Sequence, residues 1–136
     1  MVKAEPQAVG TGDEAVPLVV LVVEDEVLVR MLACDVLTDG GHHPIEAVNA
    51  EEALVLIEAR PDIGVMFTDV DMPGEINGLG LARLVAMRRP DLPIIVTTGA
   101  AEILPGDMPP QAQLLTKPYS PSALLAMIAD IEKARP

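Results

Sequence analysis

The fold is decided by residues 65–74, which read Val-Met-Phe-Thr-Asp-Val-Asp-Met-Pro-Gly. The apolar residues at the start of this stretch are too hydrophobic for a strand with one wet face, so they predict a central strand of a covered parallel sheet. In open α/β sheets, ligands bind just beyond the carboxyl ends of such strands. Asp69 is the last residue before the chain leaves the sheet, which makes it a candidate for chemistry. On this stretch alone, an Asp that opens a turn ahead of residues 72–74 explains the sequence equally well.

The composition describes an acidic domain with an aliphatic core. The chain has 136 residues, of which 50% are hydrophobic, but only one Phe, one Tyr and no Trp. This length fits a single domain. The formal net charge of −12 argues against nucleic acid and anionic membrane as partners. The single cysteine, Cys34, together with the lack of a leader or a bilayer-length apolar run, predicts a cytoplasmic protein.

Strand and helix patterns alternate along most of the chain. Five apolar segments predict strands, at residues 18–23, 43–48, 63–68, 92–98 and 113–116. Helical patterns follow the first three strands and the last, so the strands should form one parallel sheet with right-handed crossovers. The second strand is the least apolar and is expected near an edge. The prediction is a doubly wound α/β domain over residues 17–134, preceded by a disordered tail over residues 1–16.

The connection between the fourth and fifth strands breaks this alternation. Residues 100–110 read Ala-Ala-Glu-Ile-Leu-Pro-Gly-Asp-Met-Pro-Pro. Three prolines within six residues cannot lie inside a helix, so any helix is limited to a single turn near residues 100–104. The sequence therefore predicts a shortened or irregular connection here.

The region after the first strand carries two further expectations. Apolar residues at helical spacing predict a helix whose buried face consists of Val29, Leu32, Ala33 and Val36. This helix should end at Gly40-Gly41. The two histidines that follow, His42 and His43, are expected in a solvated loop.

Polar side chains follow the apolar strands at the point where each strand ends. Glu24 and Asp25 follow the first strand, Asp69 the third, Thr98 ends the fourth, and Lys117 follows the fifth. These ends share one edge of a parallel sheet, so the five side chains can converge. Taken singly, each of these residues also has a purely structural explanation, for example as a capping acid, a turn residue or a solvated lysine. Several carboxylates in one place repel each other unless a cation is present, which favours a hard divalent ion such as Mg²⁺.

In these features the chain resembles the response regulator receiver domain, the phosphoacceptor module of two-component signalling. The resemblance covers about residues 17–134 and implies a flavodoxin-like fold. Four motifs carry it in the family's order: Val-Val-Glu-Asp-Glu at 22–26, Thr-Asp-Val-Asp-Met-Pro-Gly at 68–74 with Asn-Gly at 77–78, Ile-Val-Thr-Thr-Gly at 95–99, and Lys-Pro-Tyr at 117–119.

The resemblance implies a role for each acid at the strand ends. Asp69 would be the phosphoacceptor and a ligand of Mg²⁺. Asp25 would bind the ion directly, Glu24 would assist through water, and Asp71 would offer its backbone carbonyl. An acid at position 71 stands where many relatives have a neutral residue.

The resemblance also implies how the site acts, and two departures bear on it. Thr98, which precedes the small residue Gly99, would be the switch hydroxyl, and Lys117 would pair with the phosphoryl group. Leu114 occupies the position where the family usually has an aromatic residue that moves with the switch. The connection after the fourth strand is shortened. We therefore expect that phosphorylation acts on a partner protein through a shift of residues 99–111.

The expected function is that of a stand-alone receiver, not an enzyme for other substrates. It would take a phosphoryl group from a histidine kinase or histidine phosphotransfer protein, then act on an unknown downstream protein or as a phosphate sink. One alternative is a pseudo-receiver that only docks to partners, against which the complete acceptor set argues. Another is a haloacid-dehalogenase-type phosphatase, since residues 69–71 resemble its nucleophile and acid pair. That family wants Thr or Val where Pro73 stands, and a larger chain.

Overall fold

Five strands and four helices alternate in the computed structural model, which describes residues 16–99 and 103–135. The strands are β1 Val19–Val23, β2 His43–Ala47, β3 Ile63–Asp69, β4 Ile94–Thr98 and β5 Ala112–Thr116. The helices are α1 Val27–Asp39, α2 Ala50–Ala59, α3 Gly78–Arg88 and α4 Pro121–Lys133. Of the predicted tail, residues 1–15 lie outside the described residues. No helix in the described ranges has the length and apolar character needed to cross a membrane.

The strands form one parallel sheet in the order β2-β1-β3-β4-β5. The apolar strands β1, β3 and β4 lie in the middle, where both of their faces are covered. The more polar β2 lies at an edge, as predicted. This order confirms the doubly wound α/β fold and places β3, with Asp69 at its end, at the centre of the sheet.

Two hydrophobic clusters cover the two faces of the sheet. On one face, α2 and α3 pack their buried residues against Leu21, Met66 and Ile94. On the other face, α1 and α4 pack against Val22, Phe67 and Ile95. Of these six sheet residues only Phe67 is aromatic, as the composition predicts, so the sheet is held from both sides by largely aliphatic contacts.

The predicted buried face of α1 is wrong at one position. Ala33 and Leu37 are buried and Val29 is half-buried, whereas Leu32 is 66% exposed. A helix turns about 100° per residue, so Leu37 lies over Ala33 while Leu32 lies well around the helix from both. Apolar residues on both sides of α1 left the choice of face ambiguous from spacing alone.

Local hydrogen bonds and turns fix the start of α2, the end of α1 and the position of His42. Asn49 accepts the backbone N–H of Glu52 at 2.8 Å and so caps the start of α2. The first helix ends where expected, with Gly41 at a φ of 89°. His42, however, is buried and its Nδ1 accepts the backbone N–H of Leu18 at 3.1 Å. The solvated environment predicted for His42 is therefore wrong.

The connection between β4 and β5 has no α-helix in its described part, residues 99 and 103–111. Pro105–Asp107 form a 3-10 turn, which the Asp107 carboxylate closes by accepting the N–H of Leu104 at 2.9 Å. Arg83 of α3 donates from Nε and Nη2 to the Asp107 carbonyl at 3.2 and 2.9 Å. The shortened connection is confirmed. The turn expected near residues 100–104 falls mostly outside the described residues.

Candidate functional site

Charged side chains from three strand ends meet at one edge of the sheet. Lys117 Nζ lies 3.2 Å from Asp69 Oδ1 and 3.7 Å from Glu24 Oε1. Glu24, Asp25 and Asp69 each offer a carboxylate oxygen, and these oxygens lie within 4.8 Å of one another. The structure therefore brings together these four residues, which the sequence placed at a common edge.

Backbone hydrogen bonds hold the strand ends in register at the site. Val70, just beyond β3, donates its N–H to the carbonyl of Thr97 at 2.9 Å. Lys117, just beyond β5, donates to the carbonyl of Thr98 at 3.0 Å. The Lys117–Pro118 peptide bond is cis. The Asp69 carboxylate and the Lys117 ammonium are thus carried by backbone that is tied to β4 from both sides.

A close approach between α3 and β3 shapes the loop after Asp69. The N–H of Gly78 donates to the carbonyl of Val70 at 3.0 Å. A Cβ atom at Gly78 would lie 2.0 Å from the carbonyl oxygen of Asp69. In the sequence, Gly78 stands out only as part of the Asn-Gly motif at 77–78. The structure shows that the path of the backbone beside Asp69 requires glycine there.

Burial acts on the pKa of three ionisable groups at the centre of the site, Glu24, Asp69 and Lys117. Asp69 and Glu24 are only 4% and 5% exposed. Burial raises the pKa of Glu24 to about 7, and the charge of Asp69 adds to this rise. Burial also raises the pKa of Asp69, against the hydrogen bond and charge of Lys117. Burial acts to lower the pKa of Lys117, but the hydrogen bond to Asp69 and the charges of both acids outweigh it, so that pKa is raised.

The carboxylate cluster fits a hard divalent cation. Its three oxygen donors come from two buried acids and the half-exposed Asp25. One lysine faces them, so ionising all three leaves excess negative charge in a poorly solvated place. Oxygen donors of this kind are the ligands that Mg²⁺ and Ca²⁺ prefer. The residues of the acidic pocket are therefore chemically suited to a metal.

Comparison with known proteins settles the family. Residues 20–129 match the family model described as the response regulator receiver domain. A chemotaxis protein CheY homolog from Campylobacter jejuni is 33% identical over 117 residues, which are 82% of this chain and 89% of that protein. The chain belongs to the response regulator receiver domain family. It is a CheY-like receiver domain of two-component signalling.

Further relatives agree with this assignment. The response regulator protein FleR of Pseudomonas aeruginosa is 36% identical over 113 residues, which are 81% of this receiver domain and 24% of FleR. A receiver protein of Pseudomonas putida has a crystal structure with a TM-score of 0.76 and 30% identity, covering 86% of this chain and 99% of that one. A receiver protein from Sinorhizobium medicae, with a TM-score of 0.82 and 21% identity, shares the fold over 88% of this chain and 98% of its own.

Thr98 of the receiver domain makes a contact that sequence analysis missed. Its buried hydroxyl donates to Oδ2 of Asp71 at 3.0 Å. The resemblance assigned Asp71 only a backbone role. The acid at this position was visible in the sequence, but no pattern indicated which side chain it would contact.

Arg30 is a second residue of the site that the sequence did not single out. Its Nη1 donates to the backbone carbonyl of Glu24 at 2.9 Å, and its Nε donates to the Glu46 carboxylate at 2.8 Å. The guanidinium thus ties α1 to the acidic loop after β1 and to β2. An arginine one turn into the helix that follows the acids is the only sequence signal for this role.

Leu114 replaces the aromatic residue usual in the family, whereas Tyr119 belongs to the Lys-Pro-Tyr motif that the chain shares with the family. Leu114, in the edge strand β5, is 38% exposed. Tyr119 packs its ring edge-on against Phe67, with centroids 5.9 Å apart, and burial raises the pKa of its hydroxyl. The aromatic side chain that follows the lysine therefore packs against the core and is only partly buried.

Proposed function

We propose that this receiver domain accepts a phosphoryl group on Asp69 from a phosphohistidine donor, in a reaction that requires Mg²⁺. The donor would be a histidine kinase or a histidine phosphotransfer protein. The observation that carries the proposal is the 3.2 Å contact of Lys117 Nζ with the buried Asp69 carboxylate inside the acidic cluster. A lone buried acid would explain neither the adjacent cation nor the two further carboxylates.

The phosphoryl group would pass directly from the donor imidazole to the Asp69 carboxylate. An Asp69 oxygen attacks phosphorus, and the P–N bond to the donor imidazole breaks, leaving its electron pair on the nitrogen. The Lys117 ammonium already faces this carboxylate, so it can donate to an oxygen of the transferred group. When bound by Asp25, Asp69, Glu24 through water and the Asp71 carbonyl, Mg²⁺ would supply neutralisation of charge on the phosphoryl oxygens.

We further propose that residues 17–134 form the complete phosphoacceptor unit and that it works in the cytoplasm. The unit would catalyse only its own phosphorylation and dephosphorylation. Its output would be contact with a downstream protein, or removal of phosphoryl groups as a sink. The net charge of −12 disfavours nucleic acid and anionic membrane as partners.

A metal titration tests the proposal. Amide chemical shifts of residues 24–26 and 69–72 are expected to move with added Mg²⁺ in the wild type and to move far less in Asp25→Asn. Labelling by acetyl phosphate should need the metal, because the cluster carries uncompensated negative charge without it. The exposed Asp91 lies just before β4, at the amino-terminal ends of the strands and thus away from the site. The control variant Asp91→Asn should therefore behave as wild type. Equal labelling in the presence of a chelator would contradict the metal requirement.

A further inference from the structure

We propose that the Asp71 side chain is a positioning group that holds the Thr98 hydroxyl in its unphosphorylated orientation. It would compete for this hydroxyl with a phosphoryl group on Asp69. The inference rests on the proposed function, because that phosphoryl group is the competing acceptor. Asp71 would thus act twice, through its carbonyl on the metal and through its carboxylate on the switch residue.

The contact has the character of a bond that can be exchanged. Thr98 Oγ1 donates to Asp71 Oδ2 at 3.0 Å, and an ionised acceptor makes such a bond about twice as strong as a neutral one. The donor residue Thr98 is 3% exposed, whereas Asp71 is exposed. A carboxylate at the surface returns to water when it loses its partner, so breaking the bond buries no unpaired charge. The bond is therefore strong enough to orient the Thr98 hydroxyl, and it can be broken at a small cost in free energy.

The backbone of Thr98 limits how the hydroxyl can change partner. Its carbonyl accepts the N–H of Lys117 at 3.0 Å, and the preceding carbonyl of Thr97 accepts the N–H of Val70 at 2.9 Å. With the strand held on both sides, the hydroxyl moves most easily by rotation about χ1. Threonine occupies a few discrete χ1 rotamers. The two acceptors would therefore select between two rotamers and make the contact a two-state latch.

The latch has a consequence for switching. When a ligand binds only molecules with the released rotamer, its apparent affinity is reduced in proportion to the fraction of molecules that have this rotamer. Removing the Asp71 carboxylate should raise that fraction and tighten the binding of a phosphoryl mimic. Repulsion between the carboxylate and the mimic would act in the same direction. The variants must therefore separate the hydrogen bond from the charge.

The first test uses the metal-free, unphosphorylated protein. Three-bond scalar couplings at Thr98 are expected to report one dominant χ1 rotamer in the wild type and rotamer averaging in Asp71→Ala. Asp71→Asn keeps an acceptor oxygen and should restore much of the wild-type value. Glu75→Gln removes a charge from an exposed position in the same loop and should change nothing. Couplings in Asp71→Ala that equal those of the wild type would overturn the proposal.

The second test measures the affinity for beryllofluoride in the presence of Mg²⁺. Asp71→Ala should bind about ten-fold more tightly than wild type, with Asp71→Asn in between, because a neutral hydrogen bond is weaker. In a Thr98→Val background, Asp71→Ala should give a much smaller gain, because only the repulsion between the carboxylate and the mimic remains to be removed. The same gain in that background would mean that the carboxylate acts by charge alone, and the latch would be wrong. If the wild type fails to bind beryllofluoride, the proposed function fails, and the couplings still decide whether Asp71 orients Thr98.

Discussion

At the scale of single residues, the site is defined by an imbalance of charge. Glu24, Asp25 and Asp69 face one ammonium, that of Lys117, and two of the three acids are almost fully buried. Burial raises the pKa of both Glu24 and Asp69, so the folded protein holds these groups in their charged forms at a cost. A cluster that is unfavourable when empty gains most from a cation, which is the property a metal-dependent phosphoacceptor needs.

Replacing Asp69 with Asn should therefore stabilise the metal-free protein. Asp69→Asn removes one buried charge while keeping the shape of the side chain. We expect its free energy of unfolding in a chelator to rise by on the order of 1 kcal/mol, measured by urea denaturation. In saturating Mg²⁺ the difference should shrink or reverse, because only the wild type keeps the full set of ligands. A variant that is strongly destabilised in the chelator would show that the Asp69–Lys117 pair holds the fold together.

His42 should make the stability depend on pH at a distance from the site. Its Nδ1 accepts the N–H of Leu18, which requires a neutral ring, and burial lowers its pKa against the opposing charge of Glu132. The unfolded chain therefore takes up the proton at a higher pH than the folded one. Stability should fall as the pH drops below the ordinary value of 6.5 toward the lower folded value. The lost bond is worth about 1 kcal/mol.

Two variants separate this effect from the titration of carboxylates. His42→Asn offers an acceptor without a titration near neutrality, so its stability should vary less with pH in that interval. His43→Asn, at an exposed position, should follow the wild type. Identical pH profiles for wild type and His42→Asn would rule out His42 as the source.

At the scale of secondary-structure elements, the junction of β3 and α3 positions Asp69. Gly78 opens α3, and a Cβ there would lie 2.0 Å from the carbonyl oxygen of Asp69. Such a distance cannot be relieved by a side-chain rotation, because both atoms are fixed to backbone. The start of the helix and the end of the strand therefore constrain each other beside the Asp69 carboxylate.

Adding a methyl group at this junction should damage both stability and phosphorylation. Gly78→Ala is expected to cost about 1–3 kcal/mol by overpacking, and to slow acetyl phosphate labelling by displacing Asp69. Gly80→Ala is the matched control, since its Cβ would meet two side-chain atoms, Ile76 Cγ2 at 3.2 Å and Asn77 Oδ1 at 3.7 Å, rather than backbone. That variant should stay within about 1 kcal/mol of the wild type and keep its labelling rate. Equal behaviour of the two variants would contradict the proposed constraint.

These elements also show which features could be predicted. The convergence of Glu24, Asp69 and Lys117 was predictable because it needs only parallel strands whose apolar runs end in polar residues. The hydrogen bond between Thr98 and Asp71 was not, because it depends on a rotamer and a loop path that strand periodicity does not encode. The burial of His42 and the exposure of Leu32 were missed for a related reason. Both depend on where a helix lies against the sheet.

At the scale of the whole molecule, the connection after β4 offers a route from the site to the surface. Thr98 ends β4, and the chain that follows includes the 3-10 turn at Pro105–Asp107, which Arg83 holds against α3. Leu114 has neither the ring nor the hydroxyl of the aromatic residue usual in the family. A movement of the connection itself is therefore the simplest way for a change at Thr98 to reach a partner.

Hydrogen exchange can test this route. With Mg²⁺ and beryllofluoride, protection of amides in residues 103–111 should change relative to Mg²⁺ alone, because the connection is anchored directly to β4. Arg83→Ala removes the bonds to the Asp107 carbonyl and should raise exchange there without any ligand. Changes confined to α1 or α4, with residues 103–111 unaffected, would place the output on another face.

Chemical trapping tests whether Asp69 carries the phosphoryl group. After incubation with acetyl phosphate and Mg²⁺, borohydride reduction converts an aspartyl phosphate to homoserine, which peptide mass spectrometry locates. We expect homoserine at position 69 in the wild type, and none anywhere in Asp69→Asn or in samples treated with a chelator. Homoserine at another acid, or phosphate retained by Asp69→Asn, would contradict the account.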